Sequence, residues 1–91
     1  MLVRLIVQDY EQWKPVFDEL ADLRLKQGSL GGQIFRKTDN PKELLVLFQW
    51  DNPDQARGYL QLPEVQQAMQ RAGVTAPPEV TFLQEPVFFS M

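Results

Sequence analysis

The chain contains neither cysteine nor histidine among its 91 residues. Without cysteine it has no disulfide bonds, thiol nucleophiles or thiolate metal ligands. Without histidine it has no imidazole acid-base catalyst, no imidazole zinc site and no histidine-ligated haem. The acidic group Asp18, Glu19 and Asp22 is predicted to lie on the solvated side of a helix rather than around a metal ion. The sequence therefore predicts no metal site and no bound cofactor.

Long apolar runs and an excess of basic residues are also missing. The longest apolar stretch, Leu44 to Phe48, is far shorter than the roughly 18 to 20 residues that cross a bilayer. Residues 1–7 lack the basic start and the small-residue cleavage site of a signal peptide. The formal charge is −3, from 9 basic and 12 acidic residues, and the basic residues are scattered, which argues against binding to a phosphate backbone. We therefore expect a cytoplasmic protein with neither a membrane nor a nucleic acid as partner.

The residues that are present alternate between strand-like and helix-like segments. The predicted strands are Leu2–Gln8, Leu30–Thr38, Glu43–Trp50 and Glu79–Glu85. The predicted helical regions are residues 10–27, residues 53–60 and residues 64–72. This β-α-β-β-α-β order predicts a ferredoxin-like α+β sandwich, with a four-stranded antiparallel sheet and both helices on one face. Residues 1–86 are expected to form this single domain, and residues 87–91 an apolar C-terminal tail.

Local signals set the expected helix ends. Asp9 is a predicted N-cap and Gly28 a helix stop, while Pro15 predicts a turn over residues 10–13 before the main helix. Asn52 caps the next helix, and Pro63 forces a break and a restart. Gly73 is expected to end that second piece.

Apolar side chains point to both faces of the predicted sheet. One face is assigned to the helices, which leaves the other face uncovered and predicts a second copy of the chain as its partner. Among the polar residues of the open face, Arg4, Gln8 and Gln49 either bind an anionic group or pair across the dimer axis, and Arg36 could assist in either role. The tail is expected to contact the partner subunit. The predicted dimer face comprises Arg4, Ile6, Gln8, Leu45, Leu47, Gln49, Phe88 and Phe89.

The aromatic residues have two interpretations. They either line a pocket for a flat apolar or aromatic ligand, or they are simply core between helix and sheet, which helical spacing and strand alternation already explain. The pocket hypothesis names Tyr10, Trp13, Phe17, Trp50 and Tyr59.

Several short segments carry a resemblance to a known family. They are Asp9-Tyr10 with Trp13, Phe17-Asp18, residues 28–32 (GSLGG), residues 47–51 (LFQWD), Met69, residues 71–74 (RAGV), Pro77-Pro78 and Phe82-Leu83. On these residues the chain resembles the dimeric α/β-barrel superfamily, in particular small proteins related to the antibiotic biosynthesis monooxygenases. The resemblance implies that two sheets pack face to face across a twofold axis, and that each protomer keeps a pocket between sheet and helices. Many catalytic members use a pocket histidine, which this chain lacks, so no catalytic residue is transferred.

The sequence and the resemblance together leave three candidate functions. The first is a small homodimer that binds a small molecule or acts as an accessory factor. The second is a cofactor-independent oxygenase or isomerase of a flat aromatic or polyketide-like substrate. Such an enzyme would depend on Tyr10, Tyr59, an aspartate with a raised pKa or the acidity of its substrate. The third is a purely structural dimer module.

Overall fold

The computed structural model describes residues 1–91 and contains four strands and four helices. The strands are β1 (Leu2–Ile6), β2 (Ser29–Arg36), β3 (Glu43–Trp50) and β4 (Glu79–Thr81). The helices are α1 (Tyr10–Glu19), α2 (Ala21–Lys26), α3 (Pro53–Gln61) and α4 (Pro63–Arg71). None of the helices is both long and apolar enough to cross a membrane.

The sheet has the strand order β2-β3-β1-β4, and every neighbouring pair is antiparallel. Strands β1 and β3 occupy its centre, where Val3 lies opposite Val46 and Leu5 opposite Leu44. This order and the helices on one face are those of a ferredoxin-like α+β sandwich, so the predicted fold class is confirmed.

The core lies between the sheet and the helices. Alternate residues of the central strands are buried there, together with Trp13 of α1 and Ala56 of α3. Leu45 and Leu47 point to the opposite face and are only half-buried. The assignment of strand residues to two faces is thus confirmed, because side chains of a strand alternate with a period of two.

The first helical region differs from the prediction around Pro15. Helix α1 runs without a break from Tyr10 through Pro15, after the Asp9 carboxylate accepts a hydrogen bond from the Glu11 N–H at 3.0 Å. The break comes instead at Leu20, which separates α1 from α2. Pro15 is exposed, so its ring meets solvent, and packing of the opposite face of α1 offsets the hydrogen bond that proline cannot donate.

The last strand is shorter than predicted and ends at Thr81 rather than at Glu85. Its partner explains the difference. Thr81 lies opposite Leu2, the first residue of β1, so the residues after Thr81 have no strand to pair with. Strand β2 likewise covers Ser29–Arg36 rather than residues 30–38.

The other helix boundaries agree with the sequence signals. Asn52 accepts a hydrogen bond from the Gln55 N–H at 2.9 Å, and Leu62 is extended before Pro63 starts α4. The glycines at the two predicted stops have positive φ angles, +103° at Gly28 and +79° at Gly73. These stops are confirmed, since glycine adopts this backbone conformation at no steric cost.

Candidate functional site

Six aromatic rings form a continuous row between the helices and the sheet. Neighbouring ring centroids are 4.8 to 6.1 Å apart, a typical spacing for aromatic pairs. We call this set the aromatic row, and its members are Tyr10, Trp13, Phe17, Phe48, Trp50 and Tyr59. The structure thus brings together all five residues of the pocket hypothesis and adds Phe48, which that hypothesis did not include.

A small cavity lies between the sheet and α1, α3 and α4. Its volume is about 50 Å³ and all of its lining residues are hydrophobic, so we call it the apolar cavity. Trp13, Phe17 and Tyr59 line it, whereas Tyr10 and Trp50 do not. An apolar cavity that binds benzene measures about 150 Å³. The apolar cavity is therefore too small for an aromatic ring unless a lining side chain moves.

A second cavity lies between α1, α2 and the strands β2 and β3. Its volume is about 190 Å³, and we call it the arginine cavity because Arg24 lines it. Ser29 and Gln33 are its other polar lining residues, and Ile34 and Val46 are among its apolar ones. Phe17 and Phe48 line this cavity as well as the apolar cavity. The two cavities are therefore neighbours that share a wall of two rings.

Arg24 is buried, with 8% of its surface exposed. Its Nη1 donates hydrogen bonds to the Phe17 carbonyl oxygen at 2.8 Å and to the Tyr59 hydroxyl oxygen at 3.4 Å. The guanidinium carbon lies 3.8 Å from the centre of the Phe17 ring. Arg24 was not among the candidates predicted from the sequence, although it follows Phe17 by seven positions and Leu20 by four, the spacing of one helix face.

Tyr59 is also buried, with 3% exposed. Burial raises the pKa of its hydroxyl, and the hydrogen bond and positive charge of Arg24 oppose that shift only in part. Tyr59 therefore stays protonated at neutral pH and provides a hydrogen-bond donor rather than a base. Tyr10 is the other tyrosine of the pocket hypothesis. The Arg36 guanidinium lies over its ring, with the guanidinium carbon 4.3 Å from the ring centroid.

The sheet face away from the helices carries an ion-pair cluster. Arg4 Nε donates to Glu43 at 2.7 Å, and Arg4 Nη1 lies 3.3 Å from Glu79. The hydrogen bond from Arg4 is the main cause that lowers the pKa of the Glu43 carboxyl. The positive charge of Arg4 is thus neutralised by its own chain.

The remaining residues of the predicted dimer face differ in exposure. Ile6, Leu45 and Leu47 are half-buried, whereas Gln8 and Gln49 are exposed, and Leu47 also lines the arginine cavity. Leu2 and Phe35 share this face through their pairing with Leu47 and Leu45, although neither was predicted to belong to it.

The C-terminal segment has no helix or strand after Thr81. Val87, Phe88 and Phe89 are 90%, 88% and 92% exposed. These three side chains therefore do not pack on the rest of the chain.

Comparison with known proteins places the chain in a family. Residues 9–71, more than half of the chain, match the antibiotic biosynthesis monooxygenase family. No curated protein sequence matches. A provisionally named antibiotic biosynthesis monooxygenase from Bordetella bronchiseptica has a similar structure, with a TM-score of 0.79, 16% identity and 94% of each chain covered.

Two further solved structures have the same fold. SnoaB, a cofactor-independent oxygenase from Streptomyces nogalater, gives a TM-score of 0.70 at 18% identity, covering 94% of this chain and 92% of its own. A protein from Caulobacter crescentus, also provisionally named an antibiotic biosynthesis monooxygenase, gives 0.72 at 18% identity and covers 94% of this chain and 87% of its own. These low identities establish the fold alone, and the family match establishes membership. The chain belongs to the antibiotic biosynthesis monooxygenase family.

Proposed function

We propose that this protein is a homodimer that binds a small, flat aromatic ligand between its helices and its sheet. The observation that carries the proposal is the shared wall of Phe17 and Phe48 between the apolar cavity and the arginine cavity. Movement of one ring would join the two spaces into a slot lined by aromatic and aliphatic side chains. Such mostly apolar pockets with a few polar groups are typical of small-molecule sites.

Phe48 is the ring that we expect to move. Phe17 is held between Trp13, at a centroid distance of 4.8 Å, and the Arg24 guanidinium. Phe48 is half-buried, and its two ring neighbours lie farther away, each at 6.1 Å. A flat ligand that replaces Phe48 beside Phe17 would regain a tilted, edge-to-face type of aromatic contact, worth about 0.5 to 1.5 kcal/mol beyond the area it buries.

The binding proposal is tested by nuclear magnetic resonance with 2-naphthol as the probe. The chain has two tryptophans, so a ¹H–¹⁵N spectrum contains two indole N–H signals, and a Trp50→Phe variant assigns them. Trp13 lines the apolar cavity and Trp50 does not. We expect 2-naphthol to shift the Trp13 signal more than the Trp50 signal. The absence of a saturable shift at millimolar 2-naphthol would contradict the proposal and favour a purely structural dimer module.

The homodimer is supported by the open sheet face and by the tail. Leu2, Ile6, Leu45 and Leu47 are half-buried on a face that no helix covers, and Phe35 on the same face is 49% exposed. A second copy that packs its own sheet on this face would bury these side chains, which is the arrangement of a dimeric α/β barrel. Sedimentation at micromolar concentration should then give about twice the monomer mass of 10.6 kDa.

The second candidate function is catalysis as a cofactor-independent oxygenase or isomerase. Membership of the antibiotic biosynthesis monooxygenase family favours it. Without histidine, and with Tyr59 kept protonated by burial, the substrate itself would have to be acidic. Tyr59 and Arg24 would then stabilise the negative charge that forms on the substrate.

Measuring O₂ consumption with an oxygen electrode distinguishes an oxygenase from a protein that only binds the ligand. An oxygenase consumes O₂ in proportion to the loss of an acidic phenol or quinol, whereas an isomerase or a binding protein does not. We expect a Tyr59→Phe variant to lose rate more than affinity, because the hydroxyl donor matters most when charge develops. If the wild-type protein consumes no O₂ and converts none of a panel of such substrates, the binding function stands alone.

A further inference from the structure

Arg24 differs from the other four arginines of the chain. Arg4, Arg57 and Arg71 each pair with a carboxylate within 3.3 Å, and Arg36 is exposed. Arg24 is buried, and no carboxylate lies within 4.0 Å of it. A buried positive charge without a counter-charge is costly, and side chains of this kind are almost always paired. The chain itself supplies no counter-charge for Arg24.

The hydrogen bonds of Arg24 leave one edge of its guanidinium free. Nη1 makes both of its hydrogen bonds, to the Phe17 carbonyl and to the Tyr59 hydroxyl. Nε and Nη2 donate to no protein atom. Neither nitrogen is fully enclosed, so a molecule that enters from solvent can reach them. The Nε–H and Nη2–H bonds point in parallel from the same edge of the group. This edge has the geometry that binds both oxygens of one carboxylate.

The arginine cavity, which Arg24 lines, has a size and composition that match such a ligand. The arginine cavity measures about 190 Å³, larger than the roughly 150 Å³ that accommodates benzene. Phe17, Ile34 and Phe48 are apolar lining residues, and Ser29 is a buried polar one. One ring with an attached anionic group fits a cavity of this size, and the movement of Phe48 proposed above would make room for a second fused ring.

We infer that the arginine cavity binds the carboxylate of an aromatic acid, with Nε and Nη2 of Arg24 donating to its two oxygens. The inference rests on the proposed aromatic-binding function and adds the charge of the ligand. A structural role of Arg24, joining α2 to α1, explains the hydrogen bond that Nη1 donates to the Phe17 carbonyl oxygen. It does not account for the free edge or for the cavity.

The test compares 2-naphthoate with 2-naphthamide, a neutral probe of the same shape, by isothermal titration calorimetry. We expect wild-type protein to bind 2-naphthoate at least tenfold more tightly, a preference of about 1.4 kcal/mol. An Arg24→Gln variant should lose this preference. Arg57→Gln is the matched control and should keep it, because Arg57 also lies over a phenylalanine ring, 4.4 Å from Phe82, but is exposed and paired with Asp54.

A second measurement is made on wild-type protein and does not depend on a variant of Arg24. In wild-type protein, 2-naphthoate should shift a single arginine Nε–H signal in the ¹H–¹⁵N spectrum, and 2-naphthamide should leave it in place. Arg57→Gln and three similar variants of exposed or partly exposed arginines identify that signal by elimination.

The outcomes separate this inference from the function on which it rests. Equal affinities for the two probes, with no arginine signal shifted, would overturn the inference and leave aromatic binding intact. A shift of an arginine signal other than that of Arg24 would also overturn it. If 2-naphthol, 2-naphthoate and 2-naphthamide all fail to bind, the proposed function is wrong, and the inference that rests on it is wrong as well.

Discussion

Replacing Gly32 by alanine tests a close approach between β2 and β3. Gly32 lies on β2 opposite Phe48 of β3. A Cβ atom at position 32 would overlap the carbonyl oxygen of Leu47, and it would lie 3.0 Å from the Leu47 carbonyl carbon and 3.1 Å from the Phe48 Cα. All three are backbone atoms of a central strand, so no side chain can rotate away to make room.

The expected cost follows from this environment. Overpacking a core in which side chains can adjust costs about 1 to 3 kcal/mol. Because the obstacle at position 32 is backbone, we expect a loss of about 3 kcal/mol or more in the free energy of unfolding. For a domain of this size each kcal/mol shifts Tm by about 4 to 8 °C, which predicts a decrease of at least about 12 °C.

Gly58 provides a matched control in α3. A Cβ at position 58 would meet no atom within 4 Å, and glycine inside a helix costs roughly 0.5 to 1 kcal/mol relative to alanine. Gly58→Ala should therefore stabilise the protein, so the two Gly→Ala changes should shift its stability in opposite directions. Urea denaturation followed by far-ultraviolet circular dichroism, at one protein concentration, measures both. A Gly32→Ala variant within about 0.5 kcal/mol of wild type, the usual range for a surface substitution, would refute the close approach of β2 to β3.

Four further predictions concern the proposed dimer and the titrating groups. Leu47→Asp should give a monomer or an aggregate in sedimentation, because the dimer would bury an unpaired charge; a wild-type protein that is itself monomeric would contradict this. Deleting residues 87–91 should weaken the dimer at least tenfold, a change of only about 1.4 kcal/mol, and an unchanged Kd would rule out the intersubunit tail. Burial raises the pKa of Tyr59 above the ordinary tyrosine value of about 10. The stability contributed by its neutral hydroxyl is therefore lost as the pH rises from about 10 through the raised pKa of the folded state. In an absorbance titration of tyrosine ionisation, the late phase should disappear in Tyr59→Phe. Arg4 lowers the pKa of Glu43. The stability that this carboxylate contributes is present above the ordinary glutamate pKa of about 4.3 and is lost as the pH falls through the lowered value. The free energy of unfolding should therefore fall less steeply with decreasing pH in Glu43→Gln than in wild type.

The architecture could be predicted because its strongest signals are local. Side chains alternate along residues 44–50, and this alternation assigned them correctly to two faces of the sheet. Capping residues and prolines marked three of the four helix starts in the same direct way. The length of β4 was overestimated because the sequence pattern of residues 79–85 says nothing about where its partner β1 begins.

The candidate site was predictable only in part. Aromatic residues at helical and strand spacing indicated the aromatic row, but spacing alone does not distinguish a wall around a cavity from closed packing. Arg24 was missed because arginine is mostly exposed, and its burial against Phe17 of α1 is a tertiary contact that the sequence pattern does not show. Pro15 was misjudged for a related reason, since packing of α1 against the sheet overrides a local preference.

The aromatic row also determines how folding of this protein can be observed. Tyr10, Trp13 and Phe17 are three or four residues apart on α1, and Phe48 and Trp50 are neighbours on one face of β3, so each half can form from local contacts. The rings of Phe17 and Phe48, whose centroids are 6.1 Å apart, join α1 to β3 across a long separation in sequence. Near-ultraviolet circular dichroism arises from rings held in fixed asymmetric surroundings. We therefore expect its signal to develop when α1 docks on the sheet, after the far-ultraviolet signal of the helices has formed.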